Sequence, residues 1–318
     1  MRMRREQRAF FACMQIVVPL VALLLNELGI PGSWLMIVAT VLYAFTAVRG
    51  SIWMLIGCPL AAGAGVYLVS GDIMSAVNVV LGFVPVGLSI GLLIKYGKKL
   101  KACIMAGTAA SIATYCLAIV VGAFFTHKKI TVDLFFGAYM TTFSKVEEAF
   151  SLLPKNNEIK EVYIVALFRN AELIERFLPA VMMLSAMAET FAVVCIVGWL
   201  LEKLHVKTML VPLYHITLMR RSAVVFVFSL FAMFMFPNQI VGQAFANLAL
   251  ILGCLFFVAG LSLIHWFLRE RMHYPPLVIA LSYLMMVMAA VTPFFFIDLL
   301  CVILGLWDCL ANPRKIST

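Results

Sequence analysis

The sequence predicts an all-α fold, a polytopic transmembrane helical bundle of about eight to ten spans with an extracytoplasmic amphipathic helical segment. Three observations carry that prediction. Of the 318 residues, 64% are apolar and 12% charged, about half the roughly 25% charge of an ordinary soluble domain. The apolar residues gather into runs of roughly sixteen to thirty, the length that crosses a hydrocarbon core about 30 Å thick. The basic excess, 24 Lys+Arg against 15 Asp+Glu for a net charge of +9, is concentrated in the short connections between those runs. Mean hydropathy is +1.06. A secreted disulfide scaffold, a disordered chain and a soluble enzyme built on one core are excluded.

Taken in order, the expected spans are 9–28, 33–48, 51–70, 73–94, 102–126, 177–201, 222–236, 239–268, 277–292 and 294–310. Breakers separate them: Gly29, Pro31 and Gly32, then Gly50, Gly71, Pro237, Pro275 and Pro276. The first span follows Arg2, Arg4, Arg5 and Arg8 and has no A-x-A-type cleavage site after it, so it reads as an uncleaved signal-anchor helix. The last apolar stretch, Leu277 to Leu310, is too long for one crossing. Pro293 removes a donor and clashes with the preceding turn, so two short crossings or a re-entrant hairpin are expected there.

Cytoplasmic loops retain Lys and Arg. With the N-terminus inside, Arg49, the knot Lys95–Lys98–Lys99–Lys101, Lys203 to Arg221, and Arg269 with Arg271 all fall inside, and a tenth crossing brings Arg314 and Lys315 there too. A multi-pass protein of the inner (cytoplasmic) membrane with both termini cytoplasmic is expected. The charge therefore reads as topology against the lipid bilayer, and no nucleic-acid partner is expected.

The organisation has three parts: residues 1–126, a first transmembrane half of five spans; 127–176, an extracytoplasmic amphipathic helical segment; and 177–318, a second half of about five spans, the last one or two short. In the middle part Phe136, Tyr139, Phe143, Val146, Phe150 and Leu153 paint one helix face. Pro154, Asn156 and Asn157 break the pattern, and Asn157 followed by Glu158 opens a second amphipathic helix towards Phe177. The hairpin lies over the outer mouth of the bundle or serves as a lid over a ligand pocket. The stretch Lys203–Arg221 is amphipathic about Pro212 and suits the inner interface or a cytosolic partner.

No catalytic motif is present. HExxH, GxSxG and a dinucleotide fingerprint are absent, and GLLIKYGKK at 91–99 has the wrong glycine spacing and lacks the Ser/Thr of a phosphate loop. The eight cysteines form no CxxC pair and no His stands at metal-ligand spacing. No enzyme activity, cofactor or metal is expected. Ionisable and amide side chains inside spans are the better clue, since each is costly in lipid and needs a partner or a role. Glu189, Asn247, Asn78 and Asp298 are the candidate ligand-binding residues, converging on a polar cavity or holding helices together. His265 reads as interfacial, and Asp308 faces headgroups or pairs with Arg314. Small residues at four-residue spacing, Gly57/Ala61/Gly65, Gly87/Gly91 and Gly107/Ser111, predict close backbone approach.

Several segments carry a resemblance: Leu178-Pro179-Ala180, Val211-Pro212-Leu213, Asn247 followed by FFVAGLSLIHWFLRER at 256–271, and the closing GLWDCLANPRK at 305–315. In this order and spacing the chain resembles the YybS-like bacterial membrane proteins, a domain of unknown function, over essentially its whole length. That family in turn is similar to the substrate-binding subunits of energy-coupling-factor transporters. The resemblance implies a subunit that captures an unidentified small-molecule ligand and depends on separate coupling and ATPase subunits. The first span lacks an alanine ladder of the docking kind, because Ala9, Ala12 and Ala22 do not repeat at four-residue spacing. The expected function is a transport-related small-molecule-binding membrane subunit without its own ATPase; the alternative is a membrane scaffold that anchors or regulates partners.

Overall fold

The computed structural model describes residues 5–28, 32–50, 52–125, 157–206, 216–237, 239–275, 278, 282 and 295–314. The helices are α1 (Arg5–Glu27), α2 (Ser33–Arg49), α3 (Ile52–Ser70), α4 (Ile73–Lys95), α5 (Leu100–Phe125), α6 (Asn157–Lys203), α7 (Arg220–Met235), α8 (Ile240–Trp266) and α9 (Phe295–Ala311), with a π turn Phe267–Arg271 closing α8. Among the described residues there is no strand. Six segments are long and apolar enough to cross a membrane: Arg8–Asn26, Ile52–Ser70, Ile73–Lys95, Leu100–Phe125, Arg176–Lys203 and Ile240–Arg271. Helices α2 and α9 have 17 residues each and α7 has 16; at 1.5 Å per residue they reach about 25 Å.

Helix α6 begins at Asn157 but does not end near Phe177: it runs on as one helix of 47 residues, with Pro179 inside it. The amphipathic piece and the sixth span are continuous helix there, because no Gly or Pro pair separates them and a lone proline removes only one helical bond. The expected amphipathic face 133–153, residues 207–215 of the inner amphipathic stretch, nearly all of the span 277–292, and Pro293 lie outside the described residues.

The chain divides into two compact units. The first contains α1–α5 and all of α6 except Arg176–Leu184; the second contains that nine-residue segment with α7, α8 and α9. In the first unit α4 packs against α2, α3 and α5. Gly87 and Gly91 make this possible: a Cβ on Gly87 would meet the Thr40 carbonyl oxygen at 2.9 Å, and one on Gly91 would run into Ala44 and Ala47. The Gly57/Ala61/Gly65 face is packed as expected only at Gly65, where a Cβ would sit 3.3 Å from Leu20 of α1. Gly57 faces open space and Ala61 is exposed, while Cys58, Pro59, Ala62 and Val66, one step round the helix, are buried.

Two polar ties bind the first three helices. Buried Gln15 on α1 donates through Nε2 to the Leu42 carbonyl at 3.1 Å and to Thr46 Oγ1 on α2. Tyr43 donates its hydroxyl to the Leu55 carbonyl at 2.6 Å. Leu55 lies four residues before Pro59, which has no N–H, so its carbonyl loses the regular helical partner and the phenol replaces it. The start of α4 is capped by Asp72, whose carboxylate accepts the Met74 N–H at 3.0 Å, the Ser75 N–H at 2.8 Å and the Ser75 hydroxyl at 2.7 Å.

In the second unit α8 packs against α7 and α9. Gly260 and Gly305 are reciprocal contacts: a Cβ on the first would strike the Cys301 backbone, and one on the second the Phe256 backbone. Asn312 at φ 46° ends α9 in the left-handed region and turns the chain so that Arg314 returns beneath the helix. Arg314 pairs with Asp308 through both carboxylate oxygens, with Nε to Oδ1 at 2.9 Å. It also donates to Ser262 Oγ at 2.9 Å and to the Ile216 carbonyl at 2.9 Å. Both side chains are fully buried. Asp308 therefore pairs inward with Arg314 rather than facing headgroups.

Two outcomes are expected. Asp308→Asn strands a buried guanidinium and lowers unfolding stability by about 3–5 kcal/mol; the double variant Asp308→Leu/Arg314→Met recovers most of the loss, measured by thermal unfolding in detergent. The Ser75 hydroxyl, then the Met74 and Ser75 N–H groups, hold the Asp72 carboxyl below the usual carboxylate range. Its cap is complete above that range and is lost as pH falls through the depressed value. Asp72→Asn should therefore flatten the acid limb of the melting-temperature profile, whereas an unchanged limb would remove Asp72 as its cause.

Candidate functional site

Inside the first unit lies a cavity of about 570 Å³, walled by α1, α2, α4, α5 and α6. Its volume is that of a site for a ligand of ordinary small-molecule size. The floor is polar. Helix α5 supplies Ser111, Thr114 and Tyr115 at i, i+3 and i+4, and α6 supplies Ser185 and Glu189 at i and i+4, so each helix presents its polar residues on one face. Ser111 Oγ donates to Glu189 Oε2 at 3.2 Å, and Tyr115 also hydrogen-bonds the carboxylate. Ala22, Leu23, Met36, Ile37, Val79 and Val86 make up most of the apolar wall. Asn26, Trp34 and Asn78 stand exposed at its rim.

The packing beneath the floor explains the short reach from α5 to α6. Ala186, Thr190, Val193, Val194, Val197 and Leu201 are all fully buried, a stripe at helical spacing that seats α6 in the unit. Gly107, one turn before Ser111, lies against Thr190 and has Ile90 within 3.0 Å of where a Cβ would sit. The missing side chain lets α5 come close enough for the Ser111–Glu189 bond. Among the lining residues described, Glu189 is the only charged one.

Of the four residues singled out from the sequence, Glu189 and Asn78 line this cavity. Asn247 and Asp298 belong to the second unit. The Asn247 amide accepts the Ala180 N–H at 3.1 Å and donates to the carbonyls of Arg176 at 3.2 Å and Gln243 at 2.9 Å. Arg176 and Ala180 are four residues apart and would pair with each other in a regular helix, so Asn247 reaches into the backbone of α6 beside Pro179. Gln243 Nε2 adds a second donor to the Arg176 carbonyl at 3.1 Å. Both Asn247 donors are occupied by backbone. Asp298 is partly buried near the start of α9, and its Oδ1 has no hydrogen-bond partner among the described residues. Among the described residues no group of three His, Cys, Asp or Glu could hold a metal ion.

The chain matches, over residues 16–309, the family described as Predicted membrane protein (DUF2232). It belongs to that family. The YybS-like resemblance is consistent with this membership. No curated protein and no solved structure matches it significantly. In this DUF2232 chain the described segments that carry the resemblance make contacts inside the second unit, while Val211-Pro212-Leu213 lies outside the described residues. Leu178-Pro179-Ala180 is clasped by Asn247, and the closing GLWDCLANPRK reaches Ser262 of the 256–271 segment through Arg314.

Thr114, Tyr115 and Ser185 are not among the residues expected from the sequence, and Ser111 is expected only as a small packing residue. Their signal is the i, i+3, i+4 spacing of hydroxyls within otherwise apolar spans. Gly107→Leu should force α5 and α6 apart, lower stability by about 1–3 kcal/mol and break the Ser111–Glu189 bond. A thermal melt indistinguishable from wild type would show that the close approach is unimportant.

Proposed function

We propose that this protein is a transport-related membrane subunit that captures a small, positively charged organic molecule in the Glu189 cavity, catalyses no reaction, and relies on separate coupling and ATPase subunits for energy. The observation that carries this reading is the placement of the cavity within the first unit. It lies towards the ends of α1, α2 and α4 marked by Asn26, Trp34 and Asn78, the opposite ends from Arg49, Lys95 and Lys203. Under the positive-inside rule the basic ends are cytoplasmic, so the cavity faces outwards, where a capture subunit meets its ligand.

The ligand class follows from the lining. Among the described lining residues the one charged group is a carboxylate, which favours a cation, and aromatic Trp34 and Tyr115 favour an ammonium group at their faces. Asn78, Ser111 and Ser185 provide the neutral hydrogen-bonding that gives selectivity. The resemblance to energy-coupling-factor substrate-binding subunits supports the dependence on partners, and the absent phosphate loop agrees with it.

The test is a panel of primary and quaternary ammonium compounds against purified protein, read by thermal shift and calorimetry. A saturable stabilisation is expected, with Glu189→Gln binding roughly tenfold or more weakly at an unchanged melting temperature without ligand. Normal binding by that variant would sink the site, and the absence of any saturable ligand would leave the scaffold reading. Near-stoichiometric recovery of a coupling subunit and ATPases from native membranes would place the protein in a transporter.

A further inference from the structure

At the other end of the first unit is a second pocket of about 240 Å³, lined by Phe11, Phe45, Arg49, Trp199, Lys203 and Leu204 together with Leu200. Three helices deliver it. Phe11 lies near the start of α1, Arg49 is the last residue of α2, and Lys203 is the last residue of α6. The Phe11 and Phe45 rings stack with centroids 4.7 Å apart and form an aromatic floor. Two cations stand over it, and no carboxylate is among the described lining residues. Glu202 is adjacent in sequence to Lys203, but consecutive residues on a helix face different directions. Trp199 and Ile196, three residues apart on α6, are both exposed and extend an apolar track from the pocket along the helix.

Like charges gathered over an apolar floor need an anion, and the floor needs something greasy. We propose that this pocket is a binding site for an anionic phospholipid. Arg49 and Lys203 hold the phosphodiester, Trp199 sits at the level where indole favours the membrane–water boundary, and the acyl chain follows the Trp199–Ile196 track. A free inorganic phosphate satisfies the two cations but leaves the aromatic floor and the track uncovered, so the lipid is the occupant that uses the whole site. All three helix ends carry the basic side of the chain, and the anionic cytoplasmic leaflet attracts that side. The inference is independent of the Glu189 cavity.

The experiment titrates detergent-purified full-length protein with phosphatidylglycerol, phosphatidylcholine of the same chains, and inorganic phosphate, following melting temperature and retained lipid by native mass spectrometry. Phosphatidylglycerol should stabilise saturably and be retained, and the other two should not. Arg49→Gln and Lys203→Gln should each weaken its apparent affinity roughly fivefold. Equal effects of the two lipids, a full effect from inorganic phosphate, or an unchanged preference in the double variant would each overturn the proposal. If the variants do not fold, brominated phosphatidylglycerol is added to wild type and to Trp199→Phe. Quenching should be larger in wild type by the Trp199 contribution, and equal quenching would overturn the site.

Discussion

Within hydrocarbon no water is available to take up a backbone N–H or C=O, so every interruption of a helical ladder must be closed by some other group of the protein. Much of this structure answers to that constraint. Pro59 removes the partner of the Leu55 carbonyl, and Tyr43 from the neighbouring helix supplies a hydroxyl at 2.6 Å. Pro179 leaves the Glu175 carbonyl without its donor, and on the adjoining rung Asn247 strengthens the ladder, accepting the Ala180 N–H and donating to the Arg176 carbonyl. The Ile216 carbonyl, just before α7, receives Ser262 and Arg314. In each case the side chain that meets the backbone comes from a different element, so the contact is also the tie that fixes one element against another. A polar contact of this kind contributes little by itself, about 1 kcal/mol, but its loss would also leave a polar group exposed to lipid.

The two units use polar side chains in contrasting ways. In the second, Asn247, Ser262, Asp308 and Arg314 are committed to backbone groups and to one another, and Gly260 and Gly305 bring α8 and α9 to backbone distance. In the first, close approach at Gly87, Gly91 and Gly107 is confined to one part of the helices, and beyond it they enclose space. Glu189 sits at that boundary, held by Ser111 and Tyr115 from α5. A carboxylate that keeps neutral partners, with no cation among the described lining residues, retains most of its capacity to recognise a ligand's positive charge.

The helical bundle was legible in the sequence because length and hydropathy of each run are local properties that lipid leaves little freedom to override. Family membership was legible in the order of its segments. What could not be read was which polar residues meet. Glu189 and Asn247 look alike in a sequence, each a lone polar group in an apolar span, yet one lines a cavity and the other is spent on the backbone beside Pro179. Only packing decides that. That the helix opening at Asn157 continues into the sixth span was not legible, because an amphipathic pattern giving way to an apolar one signals a change of surroundings and says nothing of where the helix ends. Gly57 misled because the four-residue spacing runs on from Gly65, which packs against Leu20, to an end of the face that is open.

Arg314 also imposes an order of events on the making of the protein. It is separated by 98 residues from Ile216, the carbonyl it finally holds. At cellular synthesis rates of roughly 5–20 residues per second, that carbonyl waits about 5–20 s for its partner. Asp308 precedes Arg314 by only six residues, so that pair can form almost as soon as both are made, and it is the reach back to Ile216 that comes late. The second unit is therefore a structure whose latch is made last: α7, α8 and α9 have to be gathered while still loose, and the guanidinium then closes them. Until that moment the nascent helices remain open to exchange with lipid, insertion machinery or another chain, and afterwards they do not.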